Sequence, residues 1–367
     1  MTVTSNDKDA QLPAEFDLRS DIVTAPTQAM LNAVLNCTYR DDVYREDATT
    51  ENFQAEIARL TGHEDAIFML SGTMSNQLGL RALLNQPPYS VLCDSRGHII
   101  HYEASGLANL TGAGIQPVEA KNKKSLTLED IMEKAVLDDW VQHSPTKVIA
   151  LENTLNGLVF PLEEIRRISA FAREHDIKMF LDGARLWDAV VARGGTLLEY
   201  AQEFDAVNLC FSKGLGAPLG SVLVGSKQTI ARARKVRQSI GGGMHQAGII
   251  TSMARVAFQD TFGGTVDGQG SLLARGHHNA KRIADLWVKL GGKLHGPTET
   301  CMVFVNITDV GLSRPELERM ALEHGLIIKN ERLVFHYQIS DEAVRRIEAL
   351  FGAIFQRHRT NGTNGKM

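Results

Sequence analysis

Short apolar runs and longer helix-period segments alternate through the middle of the chain. Residues 66–70 (AIFML), 90–93, 148–151, 178–181, 206–210 and 221–224 are brief, apolar or β-branched, and bounded by turn residues, as buried strands are. Residues 74–84 read as a helix, and 162–175 place Leu162, Ile165, Ile168 and Phe171 on one helical face. Strands alternating with helices predict an α/β fold, a mostly parallel sheet covered on both sides. Beyond residue 270 the pattern changes. A helix near 274–290 leads to a strand at 301–306. Ser313 can cap a helix with Arg314 and Pro315 in its first turn, a strand follows at 333–337, and Ser340 caps a last helix at 341–357. The expectation is a large domain over residues 1–260, N-terminal arm included, and a smaller C-terminal α+β domain over 261–358. The polar tail 359–367 (RTNGTNGKM) has nothing to bury and is expected to fray.

Composition narrows the classes. The 367 residues are 43% hydrophobic and 22% charged, a profile that suits a globular protein of this size. A net charge of −4 leaves no basic footprint for nucleic acid or an anionic membrane. No apolar run approaches the roughly 20 residues of a membrane span, and the first fifteen residues lack a signal peptide's apolar centre. Cys37, Cys93, Cys210 and Cys301 are far apart with no CxxC pair, so neither a disulfide framework nor a zinc site is expected. Reduced thiols in the cytoplasm, with no metal, are the expectation. No activity follows from any of this.

Chemistry enters at Asn208–Gly220, NLCFSKGLGAPLG. Lys213 comes just after an apolar strand and before a turn holding Gly214, Gly216 and Pro218. Taken singly, a lysine reads as a solvated surface charge. At the carboxyl end of a strand in an open α/β sheet, where ligands bind, it could instead hold a carbonyl cofactor as an imine. Asp182, in FLDGARLWD, closes a strand 31 residues earlier. Alone it reads as a helix N-cap. Beside Lys213 it supplies what pyridoxal phosphate needs, a carboxylate that keeps the pyridine nitrogen protonated. LSGTMSN (70–76) adds a strand, a small-residue turn and a helix, whose free N–H groups can cradle a phosphate. It lacks the Gly–Lys–Ser/Thr ending of a nucleotide-binding P-loop, and GLGAPLG misses the dinucleotide spacing.

With these pieces in this order, the chain resembles the threonine aldolase family of fold-type-I pyridoxal-phosphate enzymes, from Phe16 to Ile354. FDLRSDIVTAPTQAML, DDVYREDATT, LSGTMSNQ, GHIIHYEASG, ALENTLNG, LDGARL, SKGLGAPLGSVLVG, GGGMHQAG and ERLVFH carry the resemblance. It implies Lys213 as the cofactor-bearing lysine, Asp182 as the pyridinium partner, Gly72 and Thr73 at the phosphate, and His98 stacked on the ring. Ser20, Arg185 and Arg332 would hold the substrate carboxylate, where a guanidinium fork pairs bidentately. Tyr44 would reach in from a neighbouring subunit, His143 would contact the substrate hydroxyl, and His245 would stand near the cofactor phosphate. A homodimer or homotetramer with shared active sites and a small amino-acid substrate follow from the same resemblance.

The chain also departs from the family. Leu155 stands where the family has histidine, followed by a glycine stretch shortened to Gly157. His245 replaces an arginine, and Arg40 and Arg45 replace glycines flanking DDVY. Two reactions fit: cleavage of threonine or allo-threonine to glycine and acetaldehyde, or racemisation of an amino acid such as alanine, with Lys213 and a tyrosine or histidine exchanging protons on opposite faces. A catalytically silent scaffold would not need both Lys213 and Asp182.

Overall fold

The computed structural model describes residues 13–364 and divides them into two compact units, Ala25–Ala274 and residues 13–24 with 275–364. The larger unit is built on a seven-stranded sheet. Its strands are β1 (Asp65–Met69), β2 (Ser90–Asp94), β3 (Gly114–Val118), β4 (Thr146–Glu152), β5 (Lys178–Gly183), β6 (Ala206–Cys210) and β7 (Ser221–Gly225), in spatial order β1-β7-β6-β5-β4-β2-β3. β7 runs antiparallel to both neighbours, whereas β3, β2, β4, β5 and β6 pair in parallel. The expected mostly parallel sheet is present.

Alternation along each strand feeds two apolar layers. Phe68, Leu181, Val207 and Val222 enter one core with Phe53 and Ile57, while Ile67, Phe180 and Leu223 enter the other with Leu78 and Leu80. Each such side chain, fully buried, contributes about 1.5–3 kcal/mol. Helix Gly72–Leu83 begins one turn after β1, capped by the Ser71 hydroxyl, which accepts from the Met74 N–H. Leu162–Glu174 links β4 to β5 with Ile165, Ile168 and Phe171 buried, as its spacing requires. Strand β3 (GIQPV) escaped sequence reasoning because glycine and proline obscure its pattern; both are tolerated at a sheet edge.

The smaller unit carries the antiparallel strands β8 (Lys293–Leu294), β9 (Met302–Asn306) and β10 (Arg332–Val334). Helix Arg314–Glu323 starts with the expected Ser313 cap, completed into a capping box by Glu316. Two features differ from expectation. The N-terminal segment belongs to this unit, because Leu18 is fully buried among Val303, Leu333 and Phe335 and bonds by its backbone to Ile327 and Val334. The last helix runs Asp341–Asn364, so most of the segment expected to fray is helical; residues 365–367 lie outside the described residues. Among the described residues no helix is long and apolar enough to cross a membrane.

Candidate active site

Parallel pairing sets three polar residues side by side at the carboxyl ends of β4, β5 and β6: Glu152 is the register partner of Asp182, and Asp182 of Asn208. Asp182 is 3% exposed. Its Oδ2 accepts from Asn76 Nδ2 at 2.7 Å, and its Oδ1 from the Ala184 N–H at 3.0 Å and Asn208 Nδ2 at 3.2 Å. Three donors satisfy a buried carboxylate that would otherwise be costly to hold there. Glu152 accepts the His98 backbone N–H at 2.9 Å. Burial, reinforced by the like charge of Asp182, pushes its carboxyl up to about 7, against the pull of His98 and Lys213.

Lys213 lies half-buried in the turn after β6, with Nζ 3.9 Å from Cys210 Sγ. The turn is closed by bonds from Gly216 N–H to Lys213 O and from Phe211 N–H to Gly220 O. Gly220 sits at φ +113°, where an added Cβ would fall 2.3 Å from the Phe68 ring; only glycine fits. Across from Lys213, helix Gly72–Leu83 aims its N-terminus into the same region. A Cβ on Gly72 would stand 2.4 Å from Cys210 Sγ, and Asn208 Nδ2 bonds the Gly72 carbonyl. The first N–H groups of this helix have no acceptor within it, so an anion suits Gly72 and Thr73. Cys210 is fully enclosed, and burial raises its thiol.

His98 opens a short turn after β2. Its Nδ1 lies 2.9 Å from Glu103 Oε1, and the buried Glu103 also accepts from Asn76 Nδ2 at 2.8 Å. The Glu103 bond holds His98 above the usual histidine value; burial opposes it, and the charges of Asp182 and Lys213 act in opposite directions. A nitrogen of His98 and oxygens of Glu103 and Asp182 come within 4.8 Å of one another. Asn76 and the His98–Glu103 bond account for that closeness as a hydrogen-bond network.

Other expected residues are placed as follows. Arg185 follows β5 and donates its backbone N–H to Asn153 O. Within the smaller unit, Ser20 Oγ accepts from the Ile22 N–H, and Arg332 Nη2 donates to Arg19 O at 3.2 Å, so these two lie close together. Tyr44 is 78% exposed. His245 is exposed and pairs with Asp41, whose carboxyl the pair lowers. Leu155 is buried against Leu126, Leu151 and Phe160 beside Glu152. His143 is not brought to this chain's site. It pairs with Asp138 in the loop entering β4, whose seven residues put about 20 Å between that end and Glu152.

Sequence reasoning missed Asn76, Glu103, Glu152 and Asn208. All four lie inside the quoted motifs, but strand register and helix packing are what give them partners. As a set, an accessible lysine, a fixed carboxylate, a histidine and a helix N-terminus fit the groups that hold pyridoxal phosphate.

Comparison with known proteins agrees with that fit. The beta-eliminating lyase family model matches residues 17–310. Aldolase vrtJ of Penicillium aethiopicum is 48% identical over 92% of this chain and 86% of its own length. The low-specificity L-threonine aldolase of Candida albicans is 42% identical, covering 95% and 94%, and alanine racemase TOXG of Cochliobolus carbonum is 42% identical, covering 94% and 88%. Threonine aldolase of Leishmania major superposes with a TM-score of 0.76 at 19% identity, over 92% of this chain and 99% of that one.

Proposed function

The chain belongs to the beta-eliminating lyase family, in its threonine aldolase group, and on that premise we propose that it cleaves L-threonine- and L-allo-threonine-type β-hydroxy-α-amino acids to glycine and an aldehyde. It is a pyridoxal-phosphate-dependent lyase. When bound, the cofactor supplies an electron-accepting ring for the charge left on Cα. The observation that carries the reading is the buried Asp182, fixed by three donors within the same neighbourhood as Lys213 and His98.

In this reading Lys213 holds the cofactor's carbonyl carbon, Asp182 keeps its ring nitrogen protonated, and Gly72 and Thr73 take its phosphate. His98 would pack on the ring when the cofactor is bound and would remove the β-hydroxyl proton. The electrons left on the oxygen then form the C=O of the departing aldehyde as the Cα–Cβ bond breaks, and the bonding pair stays on Cα. A proton delivered to Cα completes glycine. Fixed donors around a developing charge contribute more than any other single device in such a site. Arg185 takes the substrate carboxylate, and Ser20 with Arg332, neighbours in the smaller unit, keep the carboxylate role that the family resemblance gives them. The exposure of Tyr44 and His245 supports a homodimer or homotetramer in which they face a second copy. Four buried free cysteines support a reducing cytoplasm.

The racemase reading has TOXG in its favour. Incubating the holoenzyme separately with L-allo-threonine, L-threonine and L-alanine decides between them. Acetaldehyde and glycine in equal amounts, with D-alanine forming far more slowly, is the expected result. Fast D-alanine formation without acetaldehyde overturns it.

A further inference from the structure

Close to His98, the chain turns sharply directly after the buried Glu103. Ala104 and Ser105, directly after Glu103, both stand in the left-handed region, at φ +49° and +59°, although neither is glycine. Gly106 follows, where a Cβ would fall 1.9 Å from Gln77 Nε2. Two residues in the left-handed region thus turn the backbone directly after Glu103, whose carboxylate points inward with its side chain wholly shielded from solvent. There it meets His98 Nδ1 at 2.9 Å and Asn76 Nδ2 at 2.8 Å, and the same Asn76 amide bonds Asp182 at 2.7 Å. One amide group therefore joins two carboxylates that serve different partners.

We propose that Glu103 is a positioning residue for His98: it holds the Nδ1 proton, leaves Nε2 as the nitrogen that exchanges protons, and is tied through Asn76 to Asp182. The proposal rests on the aldolase reading for its chemistry. In the neutral imidazole, Nδ1–H donates to Glu103 and the Nε2 lone pair accepts the β-hydroxyl proton. The imidazolium so formed is stabilised by the adjacent carboxylate, and Nε2 later returns the proton. Glu103 itself stays ionised throughout. The other groups facing His98 are Asp182 from β5, Glu152 from β4, Lys213 beyond β6, and the Tyr102 ring at 5.4 Å. Of all these groups, among the described residues, it is Glu103 that bonds the ring nitrogen.

Glu103→Gln keeps the volume but can donate an amide N–H to Nδ1, which moves the ring proton to Nε2 and blocks acceptance there. In wild-type holoenzyme, histidine NMR should show His98 titrating above 6.5 with its proton on Nδ1. In Glu103→Gln the titration should move to lower pH. Aldehyde release should fall by about a hundredfold or more, the range of a lost general base, while cofactor content stays at the wild-type level. Histidine titration below 6.5 in the wild type, or an unmoved titration in Glu103→Gln, overturns the proposal. Glu103→Asp, which keeps the charge and shortens the reach, should retain a raised His98 titration in part; a value no higher than that of Glu103→Gln also counts against it. Absence of aldehyde from wild-type enzyme would instead overturn the aldolase reading, with the NMR arm still deciding the Glu103–His98 pair.

Discussion

Asp182 is fixed by three donors, two from distant parts of the chain, Asn76 and Asn208, and the third the nearby Ala184 N–H. Asp182→Asn should preserve packing but remove the charge that keeps a ring nitrogen protonated. Turnover should then fall by far more than tenfold, a barrier increase well above about 1.4 kcal/mol; steady-state kinetics showing less would contradict the electron-sink role. Glu152 makes a separate prediction. Its folded value of about 7 lies above the ordinary 4.5, so the folded state binds its proton more tightly than the unfolded chain does. The stabilisation is complete below pH 4.5 and is lost as pH rises through 7. Buried His63 and His336, held below the usual histidine value by burial, act in the opposite direction. Comparing melting temperatures of wild type and Glu152→Gln isolates the carboxyl: the two should converge near pH 5, and the wild type should fall behind by pH 8.

At the level of elements, helix Gly72–Leu83 is the piece on which the proposed site depends, since it contributes both the N-terminal N–H groups proposed to take the phosphate and Asn76. Gly72→Ala drives a methyl into Cys210 Sγ and should destabilise by about 1–3 kcal/mol, with cofactor released more readily. Cys210→Ala in the same chain removes the obstructing sulfur and should recover much of that loss in urea unfolding. Helix Lys227–Ser239 is fastened differently. Arg237, 2% exposed, donates to Phe68 O at 2.8 Å and pairs with the fully buried Asp42. Arg237→Met leaves that charge alone and should lower stability by about 3–5 kcal/mol, whereas adding Asp42→Asn should restore part of it.

Most of these elements were legible in the sequence: β6 matched residue for residue, and Leu162–Glu174 ended one residue from expectation. The placement of Lys213 and Asp182 at the ends of strands was legible too, because each closes an apolar run. Asn76, Glu103, Glu152 and Asn208 were not, since the register between strands places Glu152 and Asn208, and the packing of a helix and a turn places Asn76 and Glu103. The position of His143 was not legible either: it pairs with Asp138 before β4, and motif spacing carries no information about which end of a strand a loop serves. Arg45 shows how the two kinds of information combine. It stands at φ +60°, a region that favours the glycine the family resemblance puts at this position, and here its guanidinium is held by Glu51 at 2.6 Å.

For the whole molecule, the larger unit holds the lysine, the aspartate and the histidine, and the smaller unit holds Ser20 and Arg332 beside the N-terminal segment it has recruited. Every role proposed above depends on Lys213 being the residue that carries the cofactor. Borohydride reduction of the yellow holoenzyme, followed by peptide mapping, tests this most directly. The visible band should disappear, activity should be lost, and the reduced cofactor should be found on the peptide containing Lys213. Label on Lys227 or Lys235 instead would contradict the site described here.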